Sequence, residues 1–313
     1  MTIMGSENTN KGRPFLPVKY DVIFRLFFAD ERNEEELAGL LESVLPLPAS
    51  EYGSIEIADP HLLPEYAGDK YAVIDVKLRT KTGKVIHIEV QLRVPPAMRE
   101  RILFYDARLI TEQMGSSDGY GRIQQVISIV ITDENLIPAS PGYHHRFTMY
   151  DPAAGVELTD IVEIHTVELR KLPASADGTA LYDWAKFIDA ETEEELEMAA
   201  QRNPQVRKAV VKLRELSADE RARDLLERRE KGRRDAEAFA EGARQEGRAE
   251  GRIEGRAEGR IEGRIEGHVE GHAEGRAEER IAVARNLLRI GLPIEQIIAA
   301  TGLARAEAEA LGK

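Results

Sequence analysis

With 313 residues, 42% of them hydrophobic and 32% charged, the chain is long enough for a sizeable core and must concentrate its surplus charge outside it. The absence of cysteine excludes disulfides and cysteine-based zinc or iron–sulfur sites. A net charge of −13 argues against a protein that coats nucleic acid electrostatically, while leaving room for an enzyme with a local cationic groove and a metal ion.

Residues 1–14 carry no apolar core and read as a disordered lead without a signal peptide. No apolar run reaches membrane length, so the expectation is a cytoplasmic protein with no membrane partner. Over 18–47, Phe24, Phe27, Phe28, Leu37, Leu40, Leu41, Val44 and Leu45 recur at spacings of three and four. That predicts helix, with the acids of 30–36 marking a helix start and Pro46 and Pro48 ending the pattern. A short strand is expected at 55–57, a loop at 59–69, and two stronger strands at 71–79 and 85–92. A helix over 97–114, an apolar strand over 126–132 and a strand pair at 146–149 and 162–169 follow. Helices then fill 181–216, broken at Asn203 and Pro204. Strands framed by helices in this order predict an α/β or α+β core with a mixed sheet, ending near residue 220.

Lys81-Thr82-Gly83 separates the two stronger strands and suits a three-residue hairpin loop with glycine in the left-handed position and a G1 bulge. That loop pairs Thr80 with Lys84, then Leu78 with Ile86, Val76 with Ile88 and Ile74 with Val90, the last three all apolar. On the other, polar face it sets Asp75 opposite Glu89, Lys77 opposite His87 and Val73 opposite Gln91. Opposed like charges destabilise a strand pair by a few tenths to about 1 kcal/mol. Such a pair stands either on a solvated face or around a cation, and two hard carboxylates with room for water suit Mg²⁺ or Mn²⁺. A divalent metal there can activate water and neutralise charge on a scissile phosphate.

The segments Asp75-Val76-Lys77, Gly83 and Ile88-Glu89-Val90-Gln91 resemble the active-site hairpin of PD-(D/E)XK nucleases. They are most similar to the recombination-promoting nuclease/transposase family of that superfamily, in which glutamine commonly stands for the motif lysine. Lys19-Tyr20-Asp21-Val22-Ile23-Phe24-Arg25-Leu26-Phe27 resembles the family's opening helix, and 101–113 with 121–132 resembles its helix-then-strand block. The likeness covers residues 15–220 and implies a restriction-endonuclease-like core, a mixed sheet flanked by helices. It further implies a metal-dependent DNA endonuclease that hydrolyses phosphodiester bonds with metal-activated water, using Mg²⁺ or alternatively Mn²⁺ or Ca²⁺.

The roles follow from the resemblance. Asp75 and Glu89 hold the metal, the Val90 carbonyl completes its shell, and Gln91 orients water but brings no charge. Asp21 is the candidate third acid, with an ordinary N-terminal helix acid as the alternative. By register, Lys77 either supplies the missing charge or simply balances the two acids. Arg101, Tyr105 and Arg108 fall at i, i+4 and i+7 on one helix face and are candidates for DNA phosphates. Pairing within the helix to Glu100, Asp106 and Glu112 is the competing reading. His144 and His145 have no metal-ligand spacing and read as structural. The rival functions are a catalytically weak or inactive nuclease-fold protein for DNA binding or assembly, and an RNA nuclease.

From 221 the composition changes. Residues 241–279 are a near-perfect x-Glu-Gly-Arg tetrapeptide repeat, where x is Ala, Ile or Val. Each glycine costs a helix about 0.8–1 kcal/mol against alanine, so 221–280 is either a flexible linker or a helical stalk that assembles a homo-oligomer through its glycine stripe. Residues 281–313 resemble a helix-turn-helix, but Arg305 stands beside Glu307 and Glu309, which favours a packing role over reading DNA.

Overall fold

The computed structural model describes residues 14–47, 49–51, 56–58, 61–62, 72–73, 75–115 and 117–312. It divides into two compact units, Met1–Gly232 and Arg233–Lys313.

The first unit opens with helices α1 (Asp21–Phe28) and α2 (Glu34–Val44) inside the stretch expected to be helical, the second starting within the acids of 30–36 that mark a helix start. The break has a local cause. Asp30 turns its carboxylate back to the Arg32 amide at 3.0 Å, and Asn33 donates to the Phe27 carbonyl at 2.8 Å. These side chains satisfy backbone groups that a continuing helix would otherwise use. The apolar faces of both helices, including Phe24, Phe27, Phe28, Leu37, Leu40 and Leu41, are buried in the main core.

Six strands form the main sheet in the order β1-β4-β5-β6-β8-β7. They are β1 (Glu56–Ala58), β4 (Val76–Arg79), β5 (Val85–Gln91), β6 (Val126–Thr132), β7 (His144–Asp151) and β8 (Val156–Glu168). β5, β6 and β8 run parallel, and β1, β4 and β7 pair antiparallel at the two sides. A separate two-stranded ribbon joins β2 (His61–Leu62) to β3 (Ala72–Val73). The expected mixed sheet with helical cover is therefore present.

The hairpin register matches the sequence expectation at Val76↔Ile88, Lys77↔His87 and Leu78↔Ile86. Gly83 has φ +89°, and the Thr80 amide donates to the Lys84 carbonyl at 3.0 Å, as the three-residue loop requires. Two expectations are corrected. The strand expected over 71–79 divides into β3 and β4, with Asp75 in a bend between them. Val73 consequently pairs with His61 and not with Gln91. The expected pairing of Ile74 with Val90 lies outside the described residues. The other correction concerns the polar face, which is not solvated: Lys77, His87 and Glu89 are buried. The reason is topological. Parallel strands need a crossover, and α3 (Met98–Thr111), which links β5 to parallel β6, lies over that face. Tyr105 and Leu109 of α3 pack on Val85 and Val126 there.

Helices α4 (Ala180–Asp189), α5 (Glu193–Arg202) and α6 (Pro204–Ala218) complete the core around Trp184 and Phe187. Their ends carry local stop and start signals. Thr192 and Glu195 form a capping box, and Asn203 caps α6 with Pro204 at its first position. The core does not close at 220. Helix α7 (Glu220–Arg289) buries Ala222 and Leu226 in it with its first turns.

In the second unit the tetrapeptide repeat is helical throughout, as the remainder of α7. Beyond it, Gly291 at φ +81° turns the chain into α8 (Ile294–Thr301), and α9 (Arg305–Ala310) follows Gly302 at φ +68°. Ala284, Ile297 and Ala308 are buried at this end. Among the described residues no helix is long and apolar enough to cross a membrane.

Candidate active site

Strand β5 is buried on both faces, and its α3-facing row carries His87, Glu89 and Gln91 in alternation. Asp75 reaches this row from the bend before β4. Its Oδ2 accepts the Val90 amide at 2.8 Å, so it is tied to β5 by a side chain and not by a ladder pair. Burial raises the Asp75 pKa to about 7; the Val90 amide opposes the rise, and the charges of Glu89 and Asp21 add to it. Glu89 is also raised by burial, against the lowering effect of Arg101 and His87. Gln91 donates to Glu89 Oε1 at 2.9 Å, and Arg101 Nη2 donates to the same oxygen.

Asp21 stands in the first turn of α1, and Arg229 of α7 bridges both its oxygens, with Nε at 3.2 Å from Oδ1. Lys77 lies on the α3 side of β4, but its ammonium is 2.7 Å from Oε2 of Glu112, the C-cap residue of α3. The α3 face of Arg101, Tyr105 and Arg108 turns towards the sheet: Tyr105 and Arg108 are buried, and Arg101 lies over the Tyr105 ring at 5.7 Å. That face is a wall of the carboxylate site and not an open surface. Asp106 and Glu112 reach across to the sheet, to His87 and Lys77.

Residues 18–243 match the family described as PD-(D/E)XK nuclease family transposase. The chain belongs to that family. No curated protein and no solved structure gave a match.

Two features of the site are not legible in the sequence. One is a buried cluster beneath Glu89, in which Asp106 Oδ1 meets His87 Nε2 at 3.0 Å and Ser128 contacts both. Its signal is the single serine inside the apolar strand Val126–Thr132. The other is Arg229, 208 residues from Asp21, in a stretch that reads only as charged helix. His144 and His145 are structural in their contacts. His144 Nε2 lies 2.9 Å from His165 Nδ1, and His145 Nδ1 lies 3.5 Å from Glu168.

Proposed function

We propose that this chain is a divalent-metal-dependent DNA endonuclease. The observation that carries the reading is the pair of inward-facing carboxylates, Asp75 and Glu89, both held above their ordinary pKa by burial. Such a pair favours a cation, which relieves the cost of keeping two acids out of water. The donor set fits Mg²⁺, with Mn²⁺ or Ca²⁺ as substitutes. Mg²⁺ keeps several waters and takes one or two carboxylates beside substrate phosphate.

Asp75 and Glu89 would hold the ion, and the Val90 carbonyl is the candidate backbone donor. The hydrogen bonds to the two acids fall on Asp75 Oδ2 and Glu89 Oε1, which leaves Oδ1 and Oε2 for a cation among the described contacts. When bound, the ion supplies Lewis acidity towards water and neutralises phosphate charge. Gln91 fixes the Glu89 rotamer and orients water, Asp21 keeps a third acid beside Asp75, and Arg101 and Tyr105 wall the site where DNA would lie. The helical repeat serves as a stalk that joins copies of the chain. Its glycines fall at four-residue steps with Glu on one flank and Arg on the other, an arrangement that sets opposite charges across a parallel pair.

Supercoiled plasmid tests the proposal. The full-length protein nicks it with Mg²⁺ or Mn²⁺ and stops with EDTA, while Asp75→Ala and Glu89→Ala each lose at least about a hundredfold in rate. Nicking that persists in both variants would overturn the assignment. Gln91 in place of lysine favours a second reading, a weak nuclease that binds and assembles on DNA. Metal-dependent DNA retention without cleavage selects that outcome.

A further inference from the structure

The strand that carries Glu89 ends in a neutral Gln91, so β5 brings no cation to a site where phosphate charge must be met. We propose that Arg101 is the catalytic cation of this site, donated from helix α3 in place of a strand lysine. The proposal rests on the endonuclease reading and assigns the residue that binds the scissile phosphate.

Geometry singles out Arg101. Its Nη2 and the Gln91 Nε2 donate to one oxygen, Glu89 Oε1, so the guanidinium stands beside the amide at the end of β5. A guanidinium keeps five donors in a planar fork, and one donor spent on Glu89 leaves others to point at a phosphate oxygen. The Arg101 Nε is buried and has no partner among the described residues. The helix is held in place: Asp106, five residues on, is anchored to His87 and Ser128 of the sheet. The Tyr105 ring supports the guanidinium from below. Arg101 is thus pre-positioned, as electrostatic stabilisation of a transition state requires.

The other basic residues nearby are engaged differently. Lys77 pairs with Glu112, and its side chain is 9% exposed, whereas Arg101 keeps 31% of its side chain open. Arg229 is spent on Asp21, and the charge of Arg25 of α1 acts on Asp75. In the reaction a water oxygen bonds to phosphorus and releases a proton to solvent, the ester P–O bond breaks, and the departing oxygen takes up a proton from solvent. Arg101 gives up no proton; it donates hydrogen bonds to a non-bridging oxygen while negative charge builds there.

The experiment compares plasmid nicking at saturating Mg²⁺ by the wild type, Arg101→Ala, Arg101→Lys, Lys77→Met and the double variant Arg101→Ala/Gln91→Lys. Arg101→Ala is expected to lose about 10²–10³ in rate. Arg101→Lys keeps most of the activity, and Lys77→Met stays within about threefold of wild type on the same scale. Moving the charge back to the strand, in the double variant, recovers at least tenfold over Arg101→Ala. Calorimetric titration with Mn²⁺ shows undiminished binding in Arg101→Ala, which separates loss of phosphate contact from loss of the metal site. Full activity in Arg101→Ala, or a double variant no better than the single one, overturns the assignment of Arg101 alone. A wild type that never cleaves removes the endonuclease reading and this proposal with it.

Discussion

Asp75 concentrates the energetic tension of the molecule. It is an acid withdrawn from water, close enough to Glu89 and Asp21 for both charges to raise its pKa, and held by one amide from Val90. A carboxyl whose folded pKa exceeds its unfolded value binds its proton more tightly when folded. Its stabilising share is therefore full below the ordinary value of 3.8 and is lost as pH rises to about 7. In the metal-free protein, Asp75→Asn should melt at a higher temperature than wild type at pH 8, since an amide keeps an acceptor for Val90 without the buried charge. The two should converge below pH 4. A variant that melts lower at pH 8 would show that the acid is not strained. Mn²⁺ should raise the wild-type melting temperature more at pH 8 than at pH 5.5, because the ion competes with the Asp75 proton.

At the scale of elements, α3 decides what the hairpin can do. Alternation along β5 shows in sequence that His87, Glu89 and Gln91 share a face, and the loop at Gly83 shows which residues of β4 oppose them. Nothing in that local pattern says the face is covered. Coverage comes from the parallel pairing of β5 with β6, which sends the connecting helix across it. Polar groups on the covered face need partners, and α3 with its C-cap supplies Arg101, Asp106 and Glu112 to Glu89, His87 and Lys77. Asp106→Ala leaves His87 and Ser128 buried with only each other as partners, and should lower the unfolding free energy by about 2–4 kcal/mol. Urea melts measure this. A loss within about 0.5 kcal/mol, the range of an ordinary surface change, would mean that the cluster does not anchor the helix.

At the scale of the whole molecule, the boundary between nuclease core and repeat falls later than the change in composition near 221. Ala222 and Leu226 are core residues, and Arg229 clasps Asp21 beside the carboxylate site. A chain ending at Gly232 should therefore fold and keep the wild-type nicking rate, while one ending at Leu216 should melt well below it. Light scattering on the same set tests the stalk: the full chain should be oligomeric and the Gly232-terminated chain monomeric. Equal masses per chain would remove the stalk from assembly. The helical repeat gives this test its interest. A Cβ added at Gly247, Gly251, Gly255 or Gly259 would meet nothing within 4 Å, so the glycines are not demanded by packing inside the chain.

The sequence by itself determined the period of most elements of the first unit and the face shared by His87, Glu89 and Gln91, because helix and strand periods are local and the turn at Gly83 sets its own register. It also marked Asp75, Glu89 and Gln91 as a group, through that register and a family likeness that the match over 18–243 bears out. Only the tertiary structure decided that Asp75 enters from a bend, that Lys77 is taken by Glu112, and that Arg101 faces Glu89. It alone joined Arg229 to Asp21. The physical reason is range. A polar side chain advertises its type and its face within a few residues of sequence, but burial and partnership are set by the strand order and by the crossover that lays α3 on the sheet.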